Sequence, residues 1–250
     1  DEKTFLGQTG NFNGEDIIDI IAKQPSTARF VSRHLCNFFV TDEPQVSFWQ
    51  NTPPQHPELI KMLEDEYFRS GFEIRSMLRV LFNSEAFKNA RFAKVKSPAE
   101  MVAGTLRLTG TFNRPTPRMY SSVLEILYMG QDLLNPPTVE GWHSGQEWID
   151  SGTLLERINF AAGQMGAINT PGIQAIIDRL GSEDSTISTE RLLDGCLEML
   201  GGYELNANSR SLILDDAQSA STLKTGTEEF AQLVGQTLQL IVSTQEYQFA

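Results

Sequence analysis

Arg29 and Arg33 stand one helical turn apart, and two guanidinium groups at that spacing can grip one carboxylate or phosphate together. In a chain with Lys+Arg 20 against Asp+Glu 32, the same charges can instead lie on a solvated face or in internal ion pairs, and the abundance of acids favours that assignment. A second cluster is Gly141-Trp142-His143-Ser144-Gly145-Gln146-Glu147-Trp148. Two indoles, a titratable imidazole and two flexible glycines are the ingredients of a ligand wall on which a sugar or peptide could stack. Equally, Trp142 and Trp148 can pin an irregular loop to the core while the glycines meet backbone demands. Arg29, Arg33, Trp142, His143 and Trp148 are therefore the candidate ligand-binding or partner-binding residues.

Other constellations fall short of chemistry. His34, His56 and His143 share no metal-ligand spacing, and no His-Cys cluster exists, so neither metal nor cofactor is expected. Asn11-Phe12-Asn13-Gly14-Glu15-Asp16 has a passing likeness to a calcium loop, but Gly14 is in the wrong register and no closing Glu follows; a helix cap explains the same residues. Lys96 and Glu100 could form an acid/base pair, yet Ser97-Pro98-Ala99-Glu100 reads as a capping box in which Glu100 is already employed. Asp215 and Asp216 are adjacent on a helix and point in different directions, so they do not share a proton. No nucleophile elbow, phosphate loop or dinucleotide fingerprint is present, and no catalytic residue is assigned. Cys36 and Cys196 fall in apolar helical patterns and read as two buried thiols; sequence does not show whether their β-carbons meet.

The elements that must position these residues are helical. Apolar residues recur at helical spacing at 17–21, 28–38, 59–67, 74–82, 102–106, 119–128, 153–166, 171–180, 192–200 and 230–241, with a short helix over 212–220. Asn13, Pro25 and Ser97-Pro98 are start signals; Gly71, Gly130, Gly166, Gly181 and Gly201-Gly202 are stops. Sustained alternation at period two is missing, so the fold class is all-α, an irregular multi-helix bundle. Residues 41–57, with Pro44, Pro53, Pro54 and Pro57, form an irregular connection, and a long ordered loop spans about 130–149. The chain reads as a single all-helical domain with a soft internal boundary near 166–171. The segments 78–87 and 238–247 echo one another, each an amphipathic helix running into Ser/Thr, Glu/Gln and an aromatic, and two helices with similar ends account for this. A chain of 250 residues needs no disulfide or metal to fold. Its net charge of -12 repels phosphate backbones and anionic lipid, which argues against nucleic-acid partners, and no apolar run approaches a membrane-spanning length.

A collinear set of motifs resembles the bacterial family called domain of unknown function 1800 (DUF1800). The set begins with Lys3-Thr4-Phe5-Leu6-Gly7, Pro25-Ser26-Thr27-Ala28-Arg29-Phe30 running to Phe38-Phe39-Val40, and Lys96-Ser97-Pro98-Ala99-Glu100. It continues through Met129-Gly130-Gln131, Pro136-Pro137-x-Val139-x-Gly141-Trp142, Trp148 and Arg157-x-Asn159-Phe160 to Gln245-Glu246-Tyr247-Gln248. The resemblance is firm to about residue 165 and looser beyond. It implies a mostly helical, exported bacterial protein, of which this chain resembles the C-terminal half, beginning inside a His-Asp motif that survives here as Asp1. It also implies genes that neighbour a second exported family, domain of unknown function 1501 (DUF1501), which is similar to sulfatases. His34 and Cys36 stand where the family often has Lys and Trp, which puts in doubt any role resting on that cation or indole.

Three functional expectations follow. The leading one is an extracytoplasmic helical scaffold or accessory protein, periplasmic, cell-surface or secreted, that binds a protein partner such as the sulfatase-like DUF1501 family or an envelope polymer. The second is a secreted hydrolase using the Trp142-His143 loop, with Arg29 and Arg33 holding an anionic substrate. The third is a structural subunit of a large envelope or membrane-associated assembly.

Overall fold

A computed structural model describes every residue except Asn113, Arg118, His143, Glu183, Asp184 and 218–222, with Ala217 as backbone only. The chain divides into two compact units, Asp1–Lys94 and Val95–Ala250. Both are helical, with twelve α-helices and two small antiparallel strand pairs among the described residues.

The first unit opens with a hairpin of β1 (Lys3–Phe5) and β2 (Gln8–Gly10), which the helical reading did not include. Its turn residues Leu6 and Gly7 both take positive φ, 46° and 78°, the left-handed pair that matches the twist of two hairpin strands. Helix α1 (Gly14–Ala22) starts at the stretch that faintly resembles a calcium loop. Asn13 Oδ1 accepts from the backbone N–H groups of Glu15 and Asp16 at 2.8 and 3.1 Å, and Asp16 Oδ2 accepts from the Asn13 N–H at 2.8 Å. This is a complete capping box, so those oxygens serve the helix. Helix α2 (Pro25–Phe39) has Pro in its first turn, α3 (Pro57–Arg69) does likewise, and α4 (Ile74–Asn83) and the short α5 (Glu85–Lys88) close the unit. Helix α3 packs against both α2 and α4. Their shared core is Ala28, Cys36, Leu59, Leu63, Tyr67, Met77 and Leu81.

The second unit contains α6 (Pro98–Thr109), α7 (Met119–Tyr128), α8 (Ser151–Met165), α9 (Pro171–Gly181), β3 (Thr186–Ile187), α10 (Thr189–Met199), α11 (Ala207–Ala217), β4 (Leu223–Lys224) and α12 (Glu228–Val242). Helix α8 is the hub, packed by α6 and α12, around a core that includes Met101, Ala161, Met165, Phe230, Val234 and Leu238. The Gly166–Gly172 segment lies inside this unit, joining α8 to α9. At Gly172 the first turn of α9 runs against the end of α6, and a Cβ there would overlap the Leu108 carbonyl. Helix α11 begins at Ala207, five residues before the start that spacing suggests, since its faces are poorly segregated between polar and apolar. Val95 and Phe249 form an isolated antiparallel bridge, so the two ends of this unit meet. Cys36 and Cys196 are both buried and free, and burial is the main cause that pushes their thiols up to about 11 and about 12, which leaves them poor nucleophiles.

Candidate functional site

In the first unit the proline-rich segment between α2 and α3 is organised around one side chain. Arg33 projects from α2 and is buried; its Nε and Nη2 donate to Glu43 Oε2 at 3.0 and 2.6 Å, and its Nη1 donates to the carbonyls of Thr52 and Trp49 at 2.9 and 3.2 Å. The other Glu43 oxygen accepts from the Gln55 N–H at 2.9 Å, and the Trp49 indole N–H donates to the Pro44 carbonyl at 2.7 Å. A segment with three prolines lacks three of the N–H groups with which to build its own hydrogen bonds. The guanidinium supplies donors to its carbonyls instead. The segment thereby becomes one wall of a cleft of about 890 Å³, with α2 and α3 as the other walls.

The cleft is apolar inside and charged at its lip. Phe30 and Trp49 line it, and both pack against His34, Phe30 edge-on at a centroid distance of 4.4 Å and Trp49 tilted at 4.6 Å. Burial among these rings lowers the His34 pKa below its ordinary value, so the neutral imidazole is favoured. Arg29 lines the cleft with a side chain 73% exposed, bonded through Nε to Glu64 at 2.8 Å, and Lys61, also in the lining, pairs with Asp65 at 2.5 Å.

Arg29 and Arg33 thus share one cleft, but not as two free grips. Arg29 keeps its head in solvent, whereas all three guanidinium nitrogens of Arg33 already bond protein acceptors. Trp142 and Trp148 belong to the second unit. Trp148 is buried and its carbonyl accepts from the Thr153 hydroxyl at 3.0 Å, which ties the long loop to the start of α8. Trp142 is half-buried with its indole N–H buried and unpartnered. His143 lies outside the described residues, so the hydrolase reading has no geometry to rest on.

The second unit carries a polar cluster that sequence reasoning passed over. The capping box at α6 forms as spacing predicts, with the Ser97 N–H donating to Glu100 Oε2 at 2.7 Å and the Glu100 N–H donating to Ser97 Oγ at 3.3 Å. Lys96 turns away from it. Its Nζ donates to the Tyr203 hydroxyl at 2.6 Å and the Tyr247 carbonyl at 2.7 Å, and sits 3.7 Å from the centroid of the Tyr247 ring. Burial, reinforced by the positive charge of Arg157, brings its ammonium down to about 7. Arg157, on α8, is wholly buried; it donates through Nε to Gln248 Oε1 and through Nη2 to the Lys96 carbonyl, both at 2.8 Å, and burial lowers it to about 10. Lys96 and Tyr247 are 151 positions apart, and Arg157 and Gln248 lie 91 apart, so no local spacing marks the cluster. The available signal was their membership of the collinear motifs, in which Lys96 precedes Ser-Pro, Arg157 opens the Arg157-x-Asn159-Phe160 motif, and Tyr247-Gln248 ends the last motif of the set.

These motif residues, scattered along the sequence, meet in the second unit. The family model for proteins of unknown function, DUF1800, matches residues 1–249. The chain belongs to the DUF1800 family. Its match spans both units, the Arg33 cleft and the Lys96 cluster alike. Neither a curated protein nor a solved structure matches it.

Proposed function

We propose that this DUF1800 protein is a binding module, an extracytoplasmic scaffold or accessory protein that holds an extended acidic segment of a partner protein in the first unit's cleft. The observation that carries this reading is the preformed apolar floor of Phe30 and Trp49 flanked by the exposed cations Arg29 and Lys61. Phe30 is 49% exposed, an aromatic surface that a partner could cover. The Lys61–Asp65 pair is at the surface, where a pair is worth about 0–1 kcal/mol, so a partner carboxylate can replace Asp65 at little cost; Glu64, whose side chain is 12% exposed, keeps Arg29 Nε and leaves the rest of that exposed guanidinium to the partner. Because Arg33 fixes the wall from below, the cleft needs no ordering on binding, which favours affinity. The export and the sulfatase-like DUF1501 partner belong to this proposal as what the family resemblance offers; an envelope polymer is the competing occupant.

Native purification from envelope and soluble fractions, followed by cross-linking mass spectrometry, tests the proposal. A protein partner cross-linked around Lys61, and lost or bound about tenfold more weakly by the Arg29→Glu, Lys61→Glu double variant, is the expected result. Recovery of the same partner by that variant, or cross-links confined to the second unit, would overturn it.

A further inference from the structure

We infer that the second unit holds a small monovalent anion inside its core, bound at Arg157 and Gln248. Arg157 is 0% exposed and Gln248 is 2% exposed, so neither can take a partner from bulk solvent. Both nevertheless have a donor with no partner: Nη1 of Arg157 and Nε2 of Gln248. The Gln248 amide cannot be reversed to remove the problem, because its Oε1 accepts from Arg157 Nε at 2.8 Å, and a reversed amide would set two donors against each other. Buried polar groups in folded proteins are almost always satisfied, so two orphaned donors on one bonded pair point to an acceptor between or beside them.

The charge balance says which kind of acceptor. Among the described residues, Arg157 bonds neutral atoms alone, Gln248 Oε1 and the Lys96 carbonyl. Among the described residues, Lys96 Nζ likewise donates to neutral atoms, the Tyr203 hydroxyl and the Tyr247 carbonyl. The acid that acts on both, Glu100, is exposed and gives one carboxylate oxygen to the Ser97 N–H in the capping box. A guanidinium stays protonated even when burial opposes it, and a buried cation without a counter-charge is strongly unfavourable. In a chain of net charge -12 this core is locally positive. A water molecule would accept from the orphaned donors, but it carries no charge and leaves the buried guanidinium without a counter-ion. A halide or a formate-sized carboxylate is acceptor-only, carries the missing charge and is small enough for a core site. The assignment is independent of the cleft in the first unit.

The test uses the whole chain in chloride, bromide, formate and gluconate at equal ionic strength, gluconate being too large to enter. Chloride, bromide or formate is expected to raise Tm saturably over gluconate, on the order of 5 °C at a hundredfold its Kd. Crystals grown in bromide should show an anomalous peak beside Arg157 Nη1 or Gln248 Nε2. Gln248→Glu places a carboxylate on Arg157 from within the chain, so that variant should fold and lose the anion response. It keeps the inference falsifiable even if Arg157→Met fails to fold. Stabilisation by formate with no effect of chloride would identify the occupant as a carboxylate and still support the site. Equal Tm in all four salts, an ordered water with no anomalous signal at Arg157, or an undiminished response in Gln248→Glu would each overturn it.

Discussion

Replacing Arg33 with Met tests whether one buried guanidinium holds the proline-rich wall in place. Met keeps an unbranched apolar stem on α2 but deletes the donors to Glu43 Oε2 and to the Thr52 and Trp49 carbonyls. The side chains of Arg33 and Glu43 are 4% and 0% exposed, so water cannot take the place of the lost partner. Glu43 would remain buried with, among the described residues, the Gln55 N–H at 2.9 Å as the donor left on its carboxylate. Breaking a buried pair in this way costs about 3–5 kcal/mol, a large part of the roughly 5–15 kcal/mol that a whole protein has. The reference is the double variant Arg33→Met, Glu43→Leu. Replacing both ions with apolar groups is often close to neutral, so most of the loss should be recovered, leaving a coupling of about 2 kcal/mol or more in the double-mutant cycle. Urea unfolding followed by far-UV circular dichroism and tryptophan fluorescence gives the midpoints, with the shifted transition assigned to the first unit. A loss under about 1 kcal/mol for Arg33→Met, or a double variant as unstable as the sum of its parts, would refute the argument.

Two further outcomes follow from the packing and the titration. Gly172→Ala puts a methyl group into the Leu108 carbonyl where α9 meets α6, and backbone on both sides leaves little room to yield; a loss of about 1–3 kcal/mol or more is expected in thermal unfolding, whereas Gly163→Ala, with nothing within 4 Å, should be neutral or stabilising. His34 is lowered in the folded state by burial, so the unfolded chain takes up its proton first as pH falls: the contribution is intact above pH 6.5 and is lost as pH drops through 6.5 towards the folded value. Wild type should therefore lose more stability than His34→Gln between pH 7 and pH 5, measured by urea midpoints, and parallel curves would show that the imidazole is not held neutral.

Much of the helical framework is legible because its causes are local. Pro25 and Ser97-Pro98 start helices where missing or capped N–H groups are tolerated, and apolar residues at helical spacing mark the buried faces of α2, α3 and α12, whereas Pro57, read as part of the irregular connection, turns out to open α3. The β1–β2 hairpin was missed because its three-residue strands have no extended alternation and its turn signal, Leu6-Gly7, depends on a leucine adopting a left-handed backbone. Site residues divide along the same line. The spacing of Arg29 and Arg33 put both beside one cleft, yet spacing could not say that the second would be buried and fully employed, since Glu43 and the Thr52 carbonyl reach it only after the intervening segment has folded back.

By itself, the sequence determined the helix starts, most of the apolar faces, the motifs of the DUF1800 family and the acid excess, because each depends on residues within a turn or two of one another or on composition alone. Only the tertiary structure decided which charges are spent and which remain available. Arg29 and Arg33 are four positions apart and differ in fate, while Lys96 and Tyr247, 151 positions apart, share a hydrogen bond. Burial and hydrogen-bond satisfaction are properties of the packed chain, and they turned a lysine, an arginine and a glutamine from three scattered motifs into the cluster with orphaned donors at the core of the second unit.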